Sequence, residues 1–182
     1  MEETQFITAV EKMKKGDKEG LKEIYQAYIG YIYSIVYQMI QNKENAEDVT
    51  SEFFLRLWEK AGQYQTGSTG HRGYLAAIAR NMSIDFLRKH GREQLAGTQE
   101  EKDDGTVAVS ESVSVEQEVI EELSVKEALE KLETKEREIV HLKIMGELTF
   151  QEIAKILAIP LGTVTWKYQN ALKKLRRCGY YE

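Results

Sequence analysis

The sequence predicts an all-α protein: two small helical domains joined by a flexible acidic linker, with a helix-turn-helix in the second. Three observations carry this reading. Only one of 182 residues is proline, and helix-favouring Glu, Lys, Leu and Ala are abundant. Apolar residues recur at spacings of three and four over most of the chain. That periodicity collapses from Gln94 to Ser114, where Gly97, Gly105, acids and serines dominate. The boundaries fall at 1–93, 94–114 and 115–182.

The first element is a short amphipathic helix, Phe6 to Lys14, with Phe6, Val10 and Met13 on one side. Gly16 breaks it and Asp17 can cap the next. That long second helix repeats Leu21, Ile24, Tyr25, Tyr28, Ile32, Ile35, Val36, Met39 and Ile40 at helical spacing, with Tyr31, Tyr33 and Tyr37 as added aromatic packing. A turn at 42–45 leads to a third helix whose buried face is Ala46, Val49, Phe53 and Leu57. Residues 63–70, QYQTGSTG, form a loop. Tyr74, Ile78, Met82, Ile84 and Phe86 or Leu87 drive the fourth helix, expected to end near Gly91. Beyond the linker, Ile120, Leu123, Val125, Leu129 and Leu132 lead into Ile139, Val140, Leu142 and Ile144, with Gly146 as the stop.

The stretch from Leu148 to Leu175 reads as two helices joined by a tight turn. Thr149 and Glu152 have the spacing of a capping box, and Leu148 and Ile153 that of a hydrophobic staple. Ala158, Ile159 and Pro160 break the chain, and the fixed φ of Pro160 suits the opening of another helix. That helix buries Val164, Tyr168, Ala171 or Leu172, and Leu175. Its other face carries Thr163, Thr165, Trp166, Lys167, Gln169, Asn170 and Lys173, and no acid occurs from Leu161 to Arg177. A bracing helix, a short turn and a slim basic helix are the parts of a DNA-binding helix-turn-helix. A generic helical hairpin is the plainer reading, but it leaves the exposed Trp166 and the closing run of Lys173, Lys174, Arg176 and Arg177 unexplained.

The net charge of −5 looks wrong for a DNA-binding chain, but its distribution does not. His71 to Arg92 holds five bases against one acid, and Leu148 to Glu182 holds six against two. Between them, Glu93 to Glu130 holds twelve acids against two bases. Local patches set phosphate attraction, because screening acts within roughly 10 Å. His71, His90 and His141 are scattered, so neither metal nor other cofactor is expected. The lone Cys178, the lack of a signal-peptide pattern and the lack of a long apolar run point to the cytoplasm. No Gly-rich phosphate loop, nucleophile elbow or paired-His motif supports an enzyme.

Three segments together, AEDVTSEFFLRLW (46–58), GYLAAIARNMSIDFLRKHGR (73–92) and LTFQEIAKILAIPLGTVTWKYQNALKKLRR (148–177), resemble bacterial sigma factors of the extracytoplasmic-function group. The resemblance spans nearly the whole chain apart from the linker. It implies a transcription initiation factor that binds core RNA polymerase, recognises the minus-ten and minus-thirty-five promoter elements and helps melt DNA. It also implies an anti-sigma partner.

Asp48, Ser51, Glu52, Phe54 and Trp58 are expected to share an exposed, adhesive arc of the third helix, away from Val49 and Phe53. By resemblance that arc grips the clamp helices of the polymerase's largest subunit, although the family usually has Gln at the position of Ser51. Phe54 and Trp58 completing the core is the plainer alternative. Arg80, Asn81, Asp85, Arg88 and Lys89 lie on the non-core sides of the fourth helix, where cations meet phosphates and Asn can reach a base edge. The resemblance gives Asn81 and the preceding loop a flipped minus-ten base; Tyr64, Thr66, Ser68 and His71 are the pocket candidates, which the sequence does not rank.

On the recognition helix the family commonly carries Arg or Lys. Here Thr165, Trp166, Gln169 and Asn170 stand at the base-facing positions, with Lys167 the one charge among them. This composition implies an element rich in A·T pairs. The linker is either a solvated tether or a mimic of nucleic-acid charge. Two other functions compete: a helix-turn-helix regulator acting without obligate polymerase binding, and a helical adaptor that binds no DNA.

Overall fold

In the computed structural model, residues 1–64, 70–96, 129 and 131–177 are described, with side chains omitted for 92–96. Among them every regular element is helical: α1 (Glu3–Lys14), α2 (Lys18–Ile40), α3 (Lys43–Glu59), a 3-10 turn (Ala61–Gln63), α4 (Gly70–Ala96), α5 (Thr134–Ile144), α6 (Phe150–Leu157) and α7 (Leu161–Arg177).

Local chemistry explains the boundaries. Glu2 and Gln5 form a capping box on α1, and Gly16 leaves that helix at φ 79°. Asp17 accepts from the Glu19 amide at 2.9 Å to open α2, and Asn42 accepts from Asn45 at 3.0 Å to open α3. The Glu52 to Arg56 pair then spans one turn of α3.

Phe6, Ile24, Tyr28, Ile32, Val36, Phe53 and Leu75 are fully buried where α1 to α4 meet. Each such aliphatic or aromatic side chain contributes roughly 1.5–3 kcal/mol by leaving water. Gly20 sets the closeness of α1 to α2, since a Cβ there would run into the Ala9 carbonyl oxygen.

Two expectations for α4 need correction. The helix does not end near Gly91 but runs to Ala96. Gly91 has no positive φ and lies in open space, so it does not act as a C-terminal cap, and the following Arg, Glu, Gln, Leu and Ala favour helix. Its core face is also rotated. Leu75, Ala76, Ala79, Met82 and Ser83 are buried, whereas Leu87 is exposed. Small side chains at 76, 79 and 83 let α4 lie close against its neighbours, and the larger Tyr74, Ile78 and Phe86 pack at the margin.

The C-terminal helices rest on the N-terminal ones. Ile139, Leu142, Leu148, Ile153, Leu157 and Val164 belong to the same apolar cluster as Phe6 and Ile32, and α6 packs on α4. A smaller cluster, Leu132, Val140, Ala171 and Leu175, holds α5 to α7. The acidic linker beyond Ala96, and residues 115–128, lie outside the described residues. Among the described residues no helix is long and apolar enough to cross a membrane, and no group of His, Cys, Asp or Glu could hold a metal ion.

Candidate functional site

Three surfaces collect the residues singled out above. The first is the outer face of α3. At 100° per residue its core wedge runs from Val49 through Phe53 and Leu57 to Phe54. Phe54 is therefore 4% exposed, edge-on to Phe53 and tilted under Tyr25 at 4.8 Å. This corrects the expectation that Phe54 lies on the exposed arc. Trp58 sits at the border, half-buried against the core. Asp48, Ser51 and Glu52 are exposed as expected.

The exposed apolar residue of the arc is Leu55, 63% exposed, and the partly open Tyr25 of α2 packs on Phe54 of the same helix. The sequence-based arc does not include Leu55. Its spacing of seven from Asp48 and four from Ser51 was the available signal.

The second surface lies around α4. Tyr64 and His71 are each 7% exposed, so both belong to the core rather than to an open pocket. The His71 ring stacks on Phe6, contacts the Tyr28 hydroxyl at 2.6 Å and meets the Glu3 carboxylate at 2.8 Å. The bond from His71 holds the Glu3 carboxyl below its usual range despite partial burial. Burial, with the Glu3 charge nearby, pushes the Tyr64 phenol up to about 12. Thr66 and Ser68 lie outside the described residues.

Asn81, Arg88 and Lys89 are exposed, and Asp85 lies 3.6 Å from Arg88. Asn81 also lines a pocket of about 170 Å³ between α3 and α4, with Arg56, Leu57, Lys60, Tyr74, Ile78 and Met82. An aromatic wall, an apolar floor, one amide and two cations suit a planar heterocycle joined to a phosphate. Arg80 is turned away from this opening. Its Nε donates to Glu138 of α5 at 2.6 Å.

The third surface is the helix-turn-helix, α6 and α7. Glu152 accepts from the Thr149 amide at 2.7 Å, Thr149 accepts from the Glu152 amide at 3.2 Å, and Leu148 and Ile153 are both buried. Ala158 adopts φ 53°, and the Ile159 amide reaches back to the Ala154 carbonyl at 3.1 Å, closing α6 with a left-handed cap. The Pro160 carbonyl accepts from Thr163 and Val164 and opens α7.

On α7 the polar face divides in two. Trp166, Gln169 and Lys173 are exposed along one stripe, Trp166 by 63%. Thr163 and Thr165 are half-buried, and the Thr165 hydroxyl donates to its own helix at Leu161 and Gly162. Lys167, Asn170 and Lys174 turn toward α5. Asn170 donates to Glu136 at 2.7 Å, Lys174 pairs with Glu136 at 2.7 Å, and Lys167 with Glu133 at 3.2 Å. Glu136 is fully buried. Burial opposes its charge, but the bonds from Lys174, Asn170 and the Glu133 amide prevail and hold its carboxyl below the usual range. The expectation that Asn170 faces a base is thus replaced by an internal partner, which the sequence places thirty-four residues away.

Comparison with known proteins adds an independent line. Residues 24–93 match the Sigma-70 region 2 family and residues 122–175 the Sigma-70, region 4 family. The chain is 30% identical over 175 residues to the ECF RNA polymerase sigma factor SigW of Bacillus subtilis, covering 92% of this chain and 93% of that one. The fold is similar to the sigma factor RpoE of Bartonella quintana, solved with the anti-sigma factor NepR. The TM-score is 0.64 at 20% identity, covering 86% of this chain and 94% of that one. It is also similar to CnrH, solved with the cytosolic domain of CnrY, with TM-score 0.63 at 17% identity and coverage of 95% and 96%.

Proposed function

The chain belongs to the RNA polymerase sigma factors of the extracytoplasmic-function group and directs transcription initiation, and from that premise we propose how its three surfaces divide the work. Asp48, Ser51, Glu52 and Leu55, with Tyr25 and the rim of Trp58, form the contact for core polymerase. An apolar centre ringed by acids and a hydroxyl is the composition of a small docking hot spot. Asn81, Arg88 and Lys89 meet the minus-ten element. Trp166, Gln169 and Lys173 meet the minus-thirty-five element, with Gln169 able to pair with adenine and Trp166 able to touch a thymine methyl. The chain acts without chemistry of its own. An anti-sigma protein, of the kind bound in the RpoE neighbour, is the natural regulatory partner.

The observation that carries this division is the pocket between α3 and α4. Its volume of about 170 Å³ and its lining by Asn81, Tyr74, Arg56 and Lys60 suit one extruded base with its phosphate. The pocket abuts α3, so polymerase contact and base capture use adjoining surfaces.

In vitro transcription of genomic fragments with bacterial core polymerase tests the scheme. Discrete new transcripts are expected with the chain and none without it. Changing Asp48 to Ala together with Leu55 to Asp removes core binding in co-purification. Asn81→Ala keeps core binding but lowers open-complex yield. Equal core binding by the α3 variant would move the polymerase contact elsewhere.

A further inference from the structure

Glu3 stands in the first turn of α1, ahead of residues 24–93 that match the Sigma-70 region 2 family. One of its carboxylate oxygens accepts from the His71 backbone amide at 3.3 Å and meets the ring Nδ1 at 2.8 Å. These two bonds tie α1 to the opening turn of α4. Gly70 enters that turn at φ 59°, where a Cβ would stand 3.4 Å from the same Glu3 oxygen. The other Glu3 oxygen and the Tyr64 hydroxyl are both buried, and among the described residues neither has a formed hydrogen bond. The Glu3 charge acts on the Tyr64 phenol directly. Phe6, one turn further along α1, meets the same two residues: it stacks on His71 at 5.0 Å and lies edge-on to Tyr64 at 5.2 Å. Tyr64 in turn lies edge-on to Tyr74 at 5.0 Å, and Tyr74 lines the pocket that Asn81 also lines. Contacts therefore run without a break from α1 through Tyr64 to the aromatic wall of the pocket. Phe6 is fully buried and serves the core as well. The Glu3 side chain is 39% exposed, and an ion pair that open contributes little to global stability. Its bonds act on one place, the two residues behind the pocket wall.

We propose that Glu3 is a positioning residue for minus-ten recognition: it fixes Tyr64 and His71 behind the pocket between α3 and α4 and so holds Tyr74 against the extruded base. Glu3 itself touches no DNA. A close-packed ring that loses its backing shifts, because its neighbours relax into the space. A recognition site loses selectivity when a wall moves by about 1 Å. This inference rests on the reading of the pocket as the minus-ten base site.

The test compares the full chain with Glu3→Ala and Glu3→Gln, and has two arms. In the first, 3-fluorotyrosine replaces Tyr74, and its fluorine resonance is read in the free chain. Glu3→Ala should shift or broaden that resonance, and Glu3→Gln, which keeps an oxygen to accept from His71, should move it less. In the second, open-complex yield with core polymerase is measured on the promoter mapped by transcription and on versions altered at each minus-ten base. Glu3→Ala should lower discrimination at one minus-ten base about fivefold or more. Glu3→Gln should restore most of it. Core co-purification, discrimination at the minus-thirty-five element and the urea midpoint should stay as in the unaltered chain. An unchanged Tyr74 resonance in Glu3→Ala would overturn the proposal whatever the pocket holds. Equal losses in core binding, minus-thirty-five discrimination and minus-ten discrimination would overturn it too, leaving Glu3 a residue of the fold alone. Asn81→Ala, run beside these variants, reports on the pocket reading separately. If it spares minus-ten discrimination, that reading fails, and Glu3 loses its role in recognition even where the Tyr74 resonance moves.

Discussion

The basic helices α4 and α7 have similar sequence patterns but different surroundings. Each belongs to a segment with a local excess of Lys and Arg, and each offers amides and cations at helical spacing. On α4 the inward cations, Arg72 and Arg80, find acids from the other half of the molecule. On α7 the inward side, Lys167, Asn170 and Lys174, finds acids of its immediate neighbour α5. The first arrangement ties the two halves together. The second is internal to the helix-turn-helix and holds its shape. Whether a basic residue serves the fold or a nucleic acid depends on where the nearest carboxylate lies.

The strongest challenge to this contrast is Glu136→Ala. Removing a fully buried carboxylate leaves Asn170 and Lys174 without their partner and should cost about 4 kcal/mol in urea unfolding. A loss under 1 kcal/mol would mean that α7 is not braced by α5. The depth at which α5 docks can be read from His141. Burial holds its imidazole down to about 4, and its Nδ1 has no partner. Below pH 6.5 the unfolded chain takes up a proton that the folded chain refuses. Stability therefore falls with acid between pH 6.5 and 4, by about 3 kcal/mol at the lower limit. His141→Gln should flatten that slope, as measured by denaturant midpoints across the window.

Two substitutions on α7 sharpen the division between its faces. Gln169→Ala should cost about 2 kcal/mol of discrimination at one base pair, read by competition among duplexes with altered minus-thirty-five elements. Asn170→Ala should lower stability and leave the base preference alone. A base-specific loss at Asn170 would reverse the two faces. Lys173→Ala should weaken all duplexes alike and reduce the salt slope by about 0.9. The smallest effect concerns the turn between α6 and α7. Ala158→Gly relieves a left-handed Cβ and should raise the unfolding free energy by about 1 kcal/mol.

Much of this molecule was legible in its residues. Helical periodicity located α1 to α3 and α5 to α7. The Thr149–Glu152 box with its Leu148–Ile153 staple placed the opening of the helix-turn-helix. These are short-range features, set by neighbours within a turn or two. The exposed Asp48, Ser51 and Glu52, and the exposed Asn81, Trp166 and Gln169, follow from the same counting. Phe54 was less legible, because a residue at the edge of a core wedge is buried or exposed according to what crosses above it, here Tyr25. Tyr64 and His71 looked like loop residues of a pocket, but Phe6, Tyr28 and Glu3 bring them into the core from far along the chain.

The sequence by itself thus determined the helices, their caps, the helix-turn-helix and the family to which they point. Backbone periodicity and capping are local, so one dimension suffices to write them. Only the tertiary structure decided which cations remain open to DNA. Arg80 meets Glu138 across fifty-eight residues and Asn170 meets Glu136 across thirty-four. A charge's partner is set by distance in space, and helix packing sets that distance.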